Sequence, residues 1–324
     1  MRIKHAIALR LDKSDSKMKN ILQRVNNEVF HQDLKYKKYK FGRDNPDKTF
    51  YVIRPTSEAE GLLSLFFMVM RNIAFAEENN MIPIVDFQNY RTQYNCDRLI
   101  NSSMNAWEYF FKPISTISLE EVYKSKNVYL AGWGRPEIKS NLFRNDYSEE
   151  LNAKRHTFIQ SHTCIQNNIR ERVDSFHNSN FDGSVLGVYV RGTDYLKLKP
   201  KGHPIQPELE DVMKKVDEFI ERHSIQKIFL VSEDFGIYQK FINRYGEMVF
   251  SSDNHYISDY KNDLVYSCLK DQDPFEKGAV YLEKMLLLAR CPFIVTTLTN
   301  GSLFSLAVAE RDFTEKYVFD LGKY

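Results

Sequence analysis

Between residues 185 and 319 short apolar runs alternate with segments of helical period, and this limits the fold more than any other feature of the chain. Strands are expected over 185–190, 228–231, 248–250, 293–296 and 317–319. Helices are expected over 207–223, where Pro207 suits a first turn, and over 235–245, 275–289 and 302–310. Strands that are apolar along their whole length are buried on both faces, so the pattern implies a parallel sheet covered by helices on each side. Such sheets bind ligands beyond the carboxyl ends of their strands. Polar residues directly after the strands therefore carry the most weight.

Upstream, strands are expected over 50–53, 81–86 and 127–131, a helix over 60–79, and a long helical pattern over 147–177. The turn-rich stretch 178–183 separates the halves, and a chain of 324 residues suits two domains, 1–180 and 181–324. At 38.2 kDa the chain can form a large core without disulfide or metal staples. Its four cysteines, Cys96, Cys164, Cys268 and Cys291, include no C-x-x-C pair and read as free thiols. The first residues lack a signal peptide's apolar run, and the most apolar stretch, 62–70, is too short to span a bilayer, so a cytoplasmic protein is expected.

A net charge of +2 does not mark a nucleic-acid binder. The charge is uneven, however: residues 1–50 hold 13 Lys and Arg against 6 Asp and Glu. This excess suits either a solvated face or attraction to an anionic membrane surface or acceptor. The sequence has no G-x-x-x-x-G-K-[ST], no G-x-G-x-x-G after its first strand and no G-x-S-x-G. These absences weigh against a P-loop NTPase, a nicotinamide dehydrogenase and an α/β-hydrolase. Asp271-Gln272-Asp273 has the Asp-x-Asp form of a metal–diphosphate site but follows no strand, so a solvated acidic loop is expected there.

Three strand ends stand out. Tyr189-Val190-Arg191-Gly192-Thr193-Asp194 leads into Lys197, Lys199 and Lys201, giving four basic residues and one acidic between 191 and 201. An arginine there either presents its donor fork to an anion or forms a structural pair with Asp194. Ser232-Glu233-Asp234 follows the next strand; Asp234 either orients an arginine or a ribose hydroxyl, or caps the helix behind it. Thr297-Leu298-Thr299-Asn300-Gly301-Ser302 opens a helix, where free N–H groups and the dipole favour an anion.

These segments resemble the fucosyltransferases that share an H-x-R-R-x-D motif, most closely the core α1,6-fucosyltransferases and their bacterial relatives. Arg191 matches the first motif Arg and Asp194 the Asp, and His203-Pro204-Ile205 matches a later His-Pro-Ile. Residues 228–234 are similar to the family's strand ending in a hydroxyl residue and an acidic pair, and 293–300 to its last strand and hydroxyl-rich turn. Asn105–Pro113 resembles a W-E-x-x-F-x-P segment, and Gly61 stands where the family has a glycine turn before a helix. Tyr189 stands in place of the motif His, Gly192 in place of the second Arg, and Lys199 in place of an acidic residue.

The resemblance implies an α/β, GT-B-like fold of two Rossmann-type domains facing a cleft, with residues 1–180 on the acceptor side and 181–324 binding the nucleotide sugar. It implies inverting fucosyl transfer from GDP-fucose without a metal or other cofactor, to a bacterial surface polysaccharide glycan or its lipid-linked precursor; the alternatives are another nucleotide sugar as donor, or a non-catalytic nucleotide- or glycan-binding relative. The basic excess of residues 1–50 adds peripheral contact at the inner membrane face as an expectation. Arg191 and Asp194 become the catalytic candidates, with Glu58 or Glu60 as other sources of a base. Gly61, Tyr189, Thr193, His203, Ser232, Asp234, Thr297, Thr299, Asn300 and Ser302 become the donor-binding candidates.

Overall fold

The computed structural model describes residues 36–132, 136–139, 142–143, 146–192, 199, 201–252 and 272–324. Asp194, Thr193, Lys197, Cys268 and Asp271 lie outside the described residues. The chain forms two compact units: residues up to 143 with 162–166, and 144–161 with 167–324.

The first unit carries a four-stranded sheet in the order β1-β4-β2-β3, formed by β1 (Tyr36–Tyr39), β2 (Phe50–Ile53), β3 (Ile82–Val85) and β4 (Val128–Ala131). β2 runs parallel to both β3 and β4 and is fully buried, as its unbroken apolar sequence requires. β1, absent from the sequence reading, pairs antiparallel with β4. It has an exposed, lysine-rich sequence with no apolar run to announce it. Helix α1 (Leu62–Glu78) covers the sheet with a broad apolar face, and α2 (Leu119–Val122) is a single turn capped by Ser118. The Trp107 segment is a 3-10 turn at Ala106–Tyr109, with Trp107 stacked on Phe111 at 4.4 Å; its aromatic residues serve the core.

The second unit carries a five-stranded, wholly parallel sheet in the order β7-β6-β5-β8-β9. Its strands are β5 (Val185–Tyr189), β6 (Lys227–Val231), β7 (Val249–Phe250), β8 (Phe293–Thr297) and β9 (Glu315–Phe319). In order of appearance this is 3-2-1-4-5, the doubly wound arrangement, whose topological switch point falls between β5 and β8. The long helical pattern resolves into α3 (Glu149–His162) and α4 (Asn167–Asn180), interrupted where Ile165 bridges to Phe111 within the first unit. Expected on the N-terminal side of a join near residue 180, α3 and α4 fall with the second unit except for residues 162–166. The ion pairs of Arg172 with Glu276 and Glu283 show why α4 belongs there.

The remaining helices are α5 (Leu209–His223), α6 (Phe235–Tyr245), α7 (Pro274–Leu288) and α8 (Asn300–Val308). α5 buries Val212, Met213, Val216 and Phe219, one stripe of an amphipathic helix, against Val188, Leu230 and Val295 of the sheet. α7 begins where Asp273 accepts from Phe275 and Glu276 N–H at 3.1 and 3.0 Å, so this half of the Asp-x-Asp is a helix cap. Cys96, Cys164 and Cys291 are free thiols. No helix among the described residues is long and apolar enough to cross a membrane.

Candidate functional site

Register brings the three singled-out strand ends to one level. Tyr189, the last residue of β5, lies opposite Val231 on one side and Thr296 on the other. Arg191, Ser232-Glu233 and Leu298-Thr299 therefore emerge together at the carboxyl edge, around the switch point.

Arg191 is held by Glu233. Its Nε lies 3.3 Å from Glu233 Oε1, which also accepts from the Gly192 N–H at 3.2 Å. One carboxylate thus fixes the backbone and the side chain of the turn after β5. Both side chains retain about a sixth of their exposure, 17% and 16%, so the ion pair is largely sheltered from water without being sealed. Asp234, expected either to orient an arginine or the donor or to cap the helix behind it, caps α6: its Oδ1 accepts from Gly236 N–H at 2.7 Å and Ile237 N–H at 3.1 Å. Ser232 is buried, and its hydroxyl accepts from Asp234 N–H at 3.2 Å. The start of α6 also explains Gly192. A Cβ there would lie 2.8 Å from Asp234 Cβ and 3.0 Å from Ile237 Cδ1, leaving no space for any side chain, a second arginine included.

Across the switch point, Thr299 caps α8 in a reciprocal box with Ser302: Thr299 Oγ1 accepts from Ser302 N–H at 3.3 Å, and Ser302 Oγ from Thr299 N–H at 2.9 Å. Asn300 and Gly301 stand in the first turn, with Ser302 third, so the helix starts two residues earlier than expected. The carboxyl end of α8 is anchored from α3, where Asn152 Nδ2 donates to Leu306 O at 3.1 Å and His156 Nδ1 to Ala307 O at 2.9 Å. A helix held at both ends presents its amino-terminal dipole in a fixed direction.

Beneath that terminus lies a hydroxyl cluster. Thr299 Oγ1 is 3.4 Å from Tyr189 Oη, which also bonds to Tyr281 of α7. Burial raises the Tyr189 phenol above its ordinary pKa, opposed by the Arg191 charge, so it remains a neutral hydroxyl. Gly301 leaves room for this cluster: a Cβ would meet Tyr281 Oη at 2.7 Å, Met285 Sδ at 2.9 Å and Tyr189 Oη at 3.1 Å, so these side-chain ends would have to shift. Tyr281 had no sequence signal, since a tyrosine within a helix is ordinarily core.

His203 lies on a short segment paired with 322–324: Tyr324 N–H donates to His203 O at 3.0 Å and Ile205 N–H to Gly322 O at 2.9 Å. Gln206, also missed, ties this segment to the β8 end by donating from Nε2 to Leu298 O at 3.2 Å. Arg191, Tyr189, Ser232, Thr297, Thr299, Asn300 and Ser302 thus share one edge of the second unit, with Asp234 turned to its cap. Gly61 belongs to the first unit, where it precedes α1. It has φ −67°, and a Cβ there would meet nothing within 4 Å, so its own unit imposes no glycine. Glu60 of the same unit accepts from the Thr56 hydroxyl.

No protein-family model matches the chain, and no curated protein does. Solved structures do. The NodZ α-1,6-fucosyltransferase soaked with GDP-fucose superposes with a TM-score of 0.50 at 15% identity, covering 85% of this chain and 96% of that one. The selenomethionine form of the fucosyltransferase NodZ from Bradyrhizobium gives a TM-score of 0.50 at 18% identity, with the same coverage of 85% and 96%. At this identity the likeness is one of architecture, and it agrees with the strand order and the two units: the chain has the GT-B α/β fold of the NodZ fucosyltransferases.

Proposed function

We propose that the chain is an inverting, metal-independent glycosyltransferase that moves fucose from GDP-fucose to a glycan of a bacterial surface polysaccharide or its lipid-linked precursor. The observation that carries this reading is Arg191, fixed by Glu233 at the end of β5, facing the switch point that the capped amino terminus of α8 borders. As the glycosidic bond to the diphosphate breaks, negative charge develops on the leaving phosphate. A preorganised guanidinium and a helix amino terminus meet that charge without reorganising. The fold shared with a fucosyltransferase soaked with GDP-fucose supports the choice of donor. Asp194 is the proposed base. The cations of the first unit, Lys37, Lys38, Lys40 and Arg43, are exposed around β1 and support an anionic acceptor or the inner membrane face as partner.

Thermal unfolding with GDP, UDP and CMP tests the donor. A nucleotide at about 100 times its dissociation constant adds about 2.7 kcal/mol of stability, and Arg191→Ala abolishes the gain. If none of the three stabilises the wild-type chain and Arg191→Ala changes nothing, the reading is sunk. Nucleotide binding with neither transfer nor donor hydrolysis across a panel of acceptor glycans would leave a non-catalytic nucleotide-binding protein instead.

A further inference from the structure

The basic residues of the first unit are gathered by its fold as well as by its sequence. Phe41 and Gly42 N–H donate to Ser125 O at 3.2 and 3.0 Å, Lys126 N–H to Asp44 O at 2.9 Å, and the Asn127 amide to Pro46 O at 2.9 Å. These bonds lay residues 40–48 alongside 124–127, and the two segments lead into the amino ends of β2 and β4. Gly42 permits the approach: a Cβ there would lie 1.8 Å from Lys124 O, a backbone atom that cannot swing aside. Asn45, at φ 46°, locks the join by donating from Nδ2 to Glu121 Oε1 at 3.1 Å and to Ser125 Oγ at 3.0 Å.

The outer side of this platform is cationic. Lys37, Lys38, Lys40, Arg43, Lys48 and Lys126 are exposed and make no ion pair with a described residue. Lys124 is paired with Glu120, and Glu121 is turned to Asn45, which leaves Asp44 and Asp47 as the exposed acidic groups among them. Beside them Tyr36 is 42% exposed; its ring meets that of Tyr129, over which Lys38 Nζ lies at 5.6 Å. Aromatic rings with polar tips, set among lysines, suit a boundary between water and lipid. Holding like charges together costs energy that an anionic partner recovers.

The place of the platform selects that partner. Parallel strands offer ligands their carboxyl ends, which in this sheet are Ile53, Val85 and Ala131. The platform stands at the opposite, amino-terminal edge, where the reacting end of an acceptor has no place. β1 is an outer strand of the sheet, yet Lys37 and Lys38 along it oppose strand addition by a second copy. A broad anionic surface needs neither a pocket nor a partner strand.

We propose that the β1 platform is a docking face for anionic lipid, which seats the first unit on a membrane surface. The inference rests on the partner half of the functional reading and is independent of the donor. Co-sedimentation of the full chain with vesicles tests it. Phosphatidylcholine vesicles with about 30% phosphatidylglycerol retain the chain, phosphatidylcholine alone does not, and about 0.5 M salt releases it. Lys40→Gln/Arg43→Gln/Lys126→Gln lowers the partition coefficient about fivefold per cation, roughly 100-fold in all. The same charge loss at exposed positions of the second unit, Lys214→Gln/Lys240→Gln/Arg311→Gln, lowers it by less than about threefold. Both variants melt with the wild-type chain and keep its thermal shift with GDP.

No binding to the anionic vesicles overturns the inference. So does full binding by the platform variant, which puts the contact elsewhere in the chain, and so does an equal loss in both variants, the mark of net charge alone. A polygalacturonate column that retains the wild-type chain and releases the platform variant, with vesicle binding the same for both, gives the face to an anionic acceptor instead. The GDP shift reports on the donor separately, and its absence leaves the vesicle result standing.

Discussion

Each unit follows a central parallel strand with an arginine: Arg54 directly after β2, and Arg191 two residues beyond β5. Arg54 donates from Nε to Ala131 O at 2.6 Å, and its guanidinium lies over the Tyr90 ring at 5.0 Å. Beside it Asp86, at the end of β3, is fully buried. It accepts from Gln88 N–H, Asn89 N–H, the Asn89 amide and Tyr123 Oη, at 3.2, 2.8, 3.0 and 2.6 Å. The Asp86 carboxylate of this strand end is taken up by its own turn and by Tyr123. At the β5 end the arginine is paired with a carboxylate, a capped helix points its amino terminus across the edge, and two buried polar atoms, Gln206 Oε1 and Thr297 Oγ1, remain without partners among the described residues. An arginine after a buried strand is therefore not in itself a site. What separates the two ends is the hydrogen-bonding and charge capacity left over once the local backbone is satisfied.

The sharpest break of this comparison is the pair of arginine variants. Arg191→Ala should cut kcat by about 10²–10³, or about 2.7–4 kcal/mol of barrier, and remove the thermal shift with GDP. Arg54→Ala should lower stability by about 1.5–3 kcal/mol, the range for a charge-assisted hydrogen bond, and leave the GDP shift in place. Urea midpoints and GDP titrations of both variants decide the matter, and a lost GDP shift in Arg54→Ala would erase the contrast.

Glu233→Gln keeps the shape and removes the charge that orients Arg191. We expect transfer to fall about 10-fold while GDP binding changes less, as for a group that positions a transition-state contact. Equal losses in kcat and GDP affinity would show that Glu233 serves the ground state instead. Gly301→Ala drives a methyl into the Tyr189 and Tyr281 hydroxyls, where overpacking costs about 1–3 kcal/mol. Removing one hydroxyl in Gly301→Ala/Tyr281→Phe should recover part of that loss, as a thermal melt of both variants would show. Thr299→Ala removes the α8 cap at about 1 kcal/mol, and its effect on GDP affinity reports how far the terminus depends on the cap.

The smallest effect lies at the opposite, amino-terminal edge of the second sheet. Hydrogen bonds from His223 and Arg222 hold the Glu315 carboxyl below its ordinary pKa. A depressed carboxylate contributes stability that is complete above the ordinary carboxylate range and is lost as pH falls through the depressed value. Urea midpoints should therefore decline from pH 5 toward pH 3 more steeply for the wild-type chain than for Glu315→Gln. The GDP shift measured near neutrality should be the same for both.

Much of this fold is legible because buried parallel strands leave a long apolar signature. Phe50–Ile53, Lys227–Val231 and Phe293–Thr297 could be found with no knowledge of their neighbours. β1 was invisible, since Tyr36-Lys37-Lys38-Tyr39 takes its strand geometry from pairing with β4 rather than from its own pattern. The break between α3 and α4 was equally hidden, because the helical period continues through residues whose backbone bonds to Phe110 and Lys112 of the first unit. Within the site, Arg191 and the α8 turn were readable from chemistry next to strand ends. Choosing between Glu233 and Asp234 was not, because both are carboxylates in one turn and only the direction of each side chain distinguishes a helix cap from an ion pair.

Sequence alone determined the alternation of buried strands and helices, and with it a parallel sheet and the edge at which a ligand would bind. It also picked out the arginine and the hydroxyl-rich helix start there, since local propensity and residue chemistry are properties of short segments. Tertiary structure decided which of these groups retain capacity for a ligand. Tyr281, Gln206 and Glu233 reach the edge from a helix, a loop and the turn after a neighbouring strand, 90, 15 and 42 positions from Arg191 in the chain. Their roles are fixed by register and packing across such separations. A one-dimensional pattern, whose periods span only a few residues, cannot encode them.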